Sequence, residues 1–114
     1  MQRVRQQTPG EKQNMSMLVK IHRKEHRTII SVCDKELLGQ LFEENGKQLD
    51  LTGDFYKGSE KDVQEIGDLM RNSDGVNLVG KEAIELGLQE GVIDKTHVLT
   101  IKGIPHAQAV LIHE

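Results

Sequence analysis

The residues of this chain best suited to nucleophilic chemistry are Cys33 and His106. Cys33 closes a β-branched run and is followed by Asp34. A thiol where a strand gives way to a helical turn lies near helix-terminal N–H groups, which favour the thiolate. His106 sits in Gly103-Ile104-Pro105-His106-Ala107-Gln108, where proline fixes its own backbone angle and drives Ile104 towards extended geometry. Such a segment holds the imidazole in a defined place, and His106 is the candidate base. Gln108 or Asn77 would then polarise an oxyanion. The plainer reading of Cys33 is a small buried hydrophobe. The two readings divide on whether Cys33, Asn77 and His106 meet in one cleft.

Other chemistries find less support. His22 and His26 are four apart, but the local pattern is strand and loop. With His97, His106 and His113 they form no Cys-x-x-Cys or His-Glu-x-x-His spacing, so no metal site is expected. Asn77-Leu78-Val79-Gly80 ahead of a helical pattern is a strand–turn–helix whose helix start could hold an anion. A single glycine is no phosphate loop, and Gly80 is more simply a turn residue. No cofactor is implied. The strongest binding feature is basic: Lys20, His22, Arg23, Lys24, His26 and Arg27 crowd one connection, where side chains can reach phosphates. The alternative is a solvated loop.

The elements that must position these groups follow from pattern. Leu18, Val19 and Ile21 form a short strand, and Thr28 to Cys33 a second. The loop between them has no Gly or Asn to demand a primed turn, which predicts more than two residues. Asp34 is expected to cap a short helical turn from Lys35 to Leu38 that stops at Gly39. Phe42 and Leu49-Asp50-Leu51 give a further extended piece, and Thr52 to Ser59 a loop containing Phe55-Tyr56. Ser59-Glu60-Lys61-Asp62 reads as a capping box for a helix with Val63, Ile66 and Met70 on one face. A short buried strand, Val76 to Val79, and a second helix, Lys81 to Glu90, follow. Gly91 caps that helix. Two strands, His97 to Lys102 and Ala107 to Ile112, end the chain. The predicted class is α/β or α+β: one compact domain, a mixed sheet and two main helices.

Composition bounds the rest. The chain has 114 residues, 36% hydrophobic and 29% charged, enough for one globular domain with a core. Aromatics are 3% (Phe42, Phe55 and Tyr56), so the core is aliphatic and stacking platforms for exposed bases are scarce. No apolar run approaches a membrane span, and the start lacks the apolar region of a secretory signal. A single cysteine suits a reducing cytoplasm. Net charge is −3, but residues 1–33 carry +5 and residues 34–114 carry −8, which hints at a basic contact surface. Residues 1–14 offer almost nothing to bury. They are expected to be a disordered extension, or to precede a start at Met15 or Met17, with residues 15–114 forming the domain.

Taken together, Ser31-Val32-Cys33-Asp34 with Glu36-Leu37-Leu38-Gly39 and Phe42, then Phe55-Tyr56 with Gly58, then Asn77-Leu78-Val79-Gly80, then Ile104-Pro105-His106-Ala107-Gln108 resemble the archaeal domain-of-unknown-function family 424. The similarity runs over about residues 17–112 and keeps the segments in order. Its members are sometimes loosely labelled RNA-binding, without catalytic residues to carry over. The resemblance implies an archaeal cytoplasmic source, a compact α/β domain and a role linked to RNA or translation. The leading expectation is a non-enzymatic module that binds structured RNA or a ribonucleoprotein through Lys20, His22, Arg23, Lys24 and Arg27. Asp34, Asn77, His106 and Gln108 would shape a second polar surface. The competing expectations are a small enzyme or ligand-binding domain using Cys33 and His106, and an adaptor that dimerises through an exposed terminal strand edge.

Overall fold

The computed structural model describes residues 17–113; the expected extension at residues 1–14 lies outside them. Two long strands, β1 (Met17–Lys24) and β2 (Arg27–Asp34), are followed by a 3-10 turn (Lys35–Leu37), the short pair β3 (Leu41–Glu44) and β4 (Lys47–Asp50), and β5 (Ser59–Glu60). Then come α1 (Val63–Arg71), β6 (Gly75–Val79), α2 (Lys81–Gln89), a second 3-10 turn (Lys95–His97), β7 (Leu99–Ile101) and β8 (Ile104–Val110). Six strands form one sheet in the order β5-β1-β2-β6-β8-β7, while β3 and β4 form a separate hairpin. The β2–β6 pair is parallel and the other pairings are antiparallel, so the sheet is mixed and carries two helices, as the sequence predicts.

Alternation along each strand sorts the sheet into two faces. One face presents Val19, Ile30, Val32, Val76, Leu78, Ala107 and Ala109, all buried. Against it pack Ile66 and Met70 of α1 and Ala83, Ile84 and Leu86 of α2. The apolar residues of α1 recur at helical spacing, and Arg71 ties this helix to Glu90 beside the end of α2. The opposite face is covered over half its length. There the β3–β4 hairpin lays Phe42 and Leu49 over Cys33, Leu37, Leu51 and Val79.

Several local expectations are corrected. The β1–β2 connection is a two-residue turn: Lys24 pairs with Arg27, and Glu25 and His26 both adopt positive φ (51° and 70°). The right-handed twist of two eight-residue strands favours such a primed turn, and their pairing holds it without glycine. Ser59 and Glu60 are not a capping box but an edge strand paired with β1. Asp62 caps α1, its side chain accepting a hydrogen bond from the Glu65 N–H at 2.8 Å. The 3-10 turn after Asp34 receives no side-chain cap from it. Pro105 lies inside β8, opposite Thr100, and the turn between the last strands is Lys102-Gly103.

Candidate functional site

The turn after β2 shows where Asp34 works. Its carboxylate is 2% exposed and reaches across to the start of α2, accepting hydrogen bonds from the N–H groups of Glu82 (3.0 Å) and Ala83 (2.9 Å). Gly80 makes the approach possible: its φ is +109°, and a Cβ there would lie 2.2 Å from the Asp34 carboxyl carbon. The helix start that could have held an external anion therefore holds an internal one. Burial raises the Asp34 pKa against the pull of its two N–H donors, and Glu36 adds to the rise. Burial and these neighbouring carboxylates also raise Glu82. This end of α2 is hostile to phosphate.

Cys33 and His106 share a sheet face but not a contact. Their strands flank β6: Val79 pairs with Cys33 on one side and with His106 on the other, so Val79 stands between them. Cys33 is fully buried under the β3–β4 hairpin. Burial, with Asp34 and Glu36 nearby, pushes its thiol up to about 12, and the thiol donates to the Asp34 carbonyl oxygen, with Sγ 3.3 Å from it. This is the opposite of an activated thiolate. Burial lowers the His106 pKa, and its Nε2 is buried without a partner among the described residues. Asn77 shares the sheet face with both but sits two residues further along it. The sequence-derived trio thus lies on one face without forming a nucleophile–base pair.

The half of that face beyond the β3–β4 hairpin is different. Strand register aligns Lys20, Ser31, Asn77 and Gln108 in one row across β1, β2, β6 and β8. The next row towards the β1–β2 turn is His22, Ile29, Gly75 and Val110. A groove of about 540 Å³ opens here, lined by His22, Lys24, Arg27, Ile29, Phe55, Asn77 and Gln108, with Glu25 at its rim. Its basic members sort by strand parity. Lys24 and Arg27 point to the groove face, while Arg23, one residue out of phase, belongs to the helix-bearing face. Lys20 is already engaged, its amino group donating to the Asp54 carbonyl at 2.8 Å.

Phe55 is the residue the sequence pattern concealed. It falls in a loop without periodicity, yet its ring stacks on His22 with centroids 4.2 Å apart and remains 46% exposed. The loop is fastened from beneath: the Phe55 carbonyl accepts a hydrogen bond from Ser31 Oγ (2.9 Å) and lies 3.0 Å from His22 Nε2. Tyr56 meets Phe55 edge-on at 5.0 Å. Asn77 is half-buried and Gln108 is exposed. Neither side-chain amide has a hydrogen-bond partner among the described residues. The arrangement offers an apolar floor, one aromatic plane, two amides unpaired among the described residues, two cations and the Glu25 carboxylate.

The remaining histidines are scattered. His26 occupies the hairpin turn, His97 accepts the Asp94 N–H through Nδ1 at 3.0 Å, and His113 Nε2 lies 2.6 Å from the Ser73 carbonyl oxygen. Among the described residues no three His, Cys, Asp or Glu side chains gather as a metal site would require. No helix among them is long and apolar enough to cross a membrane.

Residues 21–112 match the family model described as "Protein of unknown function (DUF424)". A solved structure, the crystal structure of an uncharacterized conserved protein from Methanopyrus kandleri, superimposes with a TM-score of 0.72 at 22% identity, covering 87% of this chain and 95% of that one. At that identity the likeness is one of fold. No curated protein matches the chain.

Proposed function

The chain belongs to the family of proteins of unknown function numbered 424, and we propose that it is a non-enzymatic RNA-binding module of the archaeal cytoplasm. The observation that carries this reading is the groove beyond the β3–β4 hairpin: Lys24 and Arg27 stand beside an exposed Phe55, and the Asn77 and Gln108 amides are unpaired among the described residues. Cations beside an open sheet suit a phosphate backbone, and an aromatic plane with amides suits bases. An enzyme built on Cys33 and His106 draws no comparable support, because Val79 separates the two and the thiol is buried.

The parity of the basic residues sets the test. Binding of bulk transfer RNA, followed by fluorescence anisotropy over a potassium chloride series, is expected to weaken linearly with salt on logarithmic axes. Lys24→Ala with Arg27→Ala should weaken binding and reduce the slope by about two, one per lost phosphate contact. Arg23→Ala should change little. Equal binding by the double variant and the wild type would remove the groove face from the argument.

A further inference from the structure

We propose that the groove seats one unpaired nucleobase, everted from an otherwise structured RNA, against Phe55, with its edge read by Asn77 and Gln108. This rests on the RNA-binding reading and narrows it to a ligand. A nucleobase has flat apolar faces and an edge of hydrogen-bond donors and acceptors. The groove offers the complement of each. Ile29 and the exposed Phe55 ring supply apolar surface, and the amides of Asn77 and Gln108 each present a donor and an acceptor. These two residues are direct partners across β6 and β8, so their side chains rise side by side from one point of the sheet. The volume, about 540 Å³, falls among those of small-molecule sites.

Charge fixes the orientation. Lys24 and Arg27 flank the β1–β2 turn at the end of the groove, with Glu25 between them in sequence, so the sugar-phosphate lies towards the turn and the base towards Asn77. The site is set before binding. The Phe55 backbone is tied to Ser31 and His22, and its ring rests on the His22 imidazole. Preorganisation of this kind lowers the cost of ordering the contact. One exposed aromatic accommodates one base rather than a run of them, which calls for an RNA whose other bases are paired.

Two experiments on the full chain test this. In the first, the protein is titrated with the four nucleoside 5′-monophosphates and with ribose 5-phosphate, and resonances are followed by NMR. The nucleotides are expected to shift the Asn77 and Gln108 side-chain amides and the Phe55 ring, by amounts that differ among the bases. Ribose 5-phosphate should shift only groups near Lys24 and Arg27. Gln108→Ala, at an exposed position, should weaken the differences among bases with the fold intact, and Phe55→Ala should abolish the ring-current shifts. Shifts as large with ribose 5-phosphate, or none at the three residues, would overturn the proposal. In the second, an RNA hairpin with one bulged nucleotide is compared with the same hairpin made abasic at the bulge. The bulged form is expected to bind about tenfold more tightly, in the range of a single stacked base. Equal, salt-dependent binding of both would overturn the base site and leave the RNA reading standing. No binding of either at low salt would overturn both.

Discussion

Replacing Asp34 by Ala tests the buried carboxylate that holds the start of α2. Asp34 is 2% exposed and holds the Glu82 and Ala83 N–H groups in the first turn of α2 at 3.0 and 2.9 Å. Its removal strips a helix cap, which costs about 0.5–2 kcal/mol. It also leaves two donors unpaired, Ala83 in a buried place and Glu82 in a partly buried one, and an unsatisfied buried group costs about 1–3 kcal/mol. Relief of the burial penalty seen in the raised Asp34 pKa offsets part of this. The net loss is expected near 2 kcal/mol, a fall of about 1–2 M in the urea midpoint for a domain of this size. Gly80→Ala should cost as much by another route. Its Cβ would drive into the same carboxylate, and its φ of +109° would strain any L residue. In the double variant the collision is gone, so the two losses should fall short of their sum by about 1 kcal/mol. A midpoint shift under about 0.3 M for Asp34→Ala, or strict additivity of the pair, would refute the capping argument.

Three further outcomes are expected. His106 is held neutral by burial; the unfolded chain takes up a proton near pH 6.5 that the folded chain refuses. Stability therefore falls as pH drops from about 6.5 through the lowered folded pKa. Urea midpoints of His106→Leu should lack that component, and parallel curves for variant and wild type would count against it. Glu25→Asn with His26→Gly installs at the β1–β2 turn the residue pair that Asn45-Gly46 already provides between β3 and β4. Relief of two positive φ angles in residues poorly suited to them should add about 1 kcal/mol, a rise of roughly 5 °C in Tm by calorimetry; no rise would show that the turn carries no strain. The Cys33 thiol, pushed up to about 12 and fully buried, should resist alkylation by iodoacetamide at pH 8 until denaturant unfolds the chain. Rapid labelling of native protein would contradict that burial.

Strands β2 and β6 and both helices were legible because their apolar spacing is regular: Ile30-Val32 and Val76-Leu78 alternate, and Ile66 and Met70 recur a turn apart. The β3–β4 hairpin was read as one extended piece, although Asn45-Gly46 between Phe42 and Leu49 is the commonest chemistry for a primed two-residue turn. The Glu25-His26 turn carried none, since its geometry comes from the pairing of the strands around it. Pro105 suggested a loop, yet β8 accommodates it opposite Thr100. The site was least visible. Asn77 and Gln108 stood out as polar residues among apolar neighbours, but only strand order and register place them side by side. Arg23 looked equivalent to Lys24 in a run of charges, and strand parity separates them. Phe55 became informative only once its loop was seen to lie over His22.

The loop that carries Phe55 is fastened to the sheet by side chains rather than by a backbone ladder. Lys20 holds the Asp54 carbonyl, and Ser31 and His22 gather at that of Phe55. Release of these bonds, with Tyr56 lifting from the Cys33, Leu37, Leu51 and Val79 cluster, would free the aromatic while the helix-covered core stayed closed, so opening of the loop is expected to cost less than global unfolding. A ligand that engages Phe55 in its fastened position draws down that opening in proportion to its occupancy. Slower amide exchange over residues 54–58, with no change in β2 or β6, would then report occupancy of the groove before any affinity is measured.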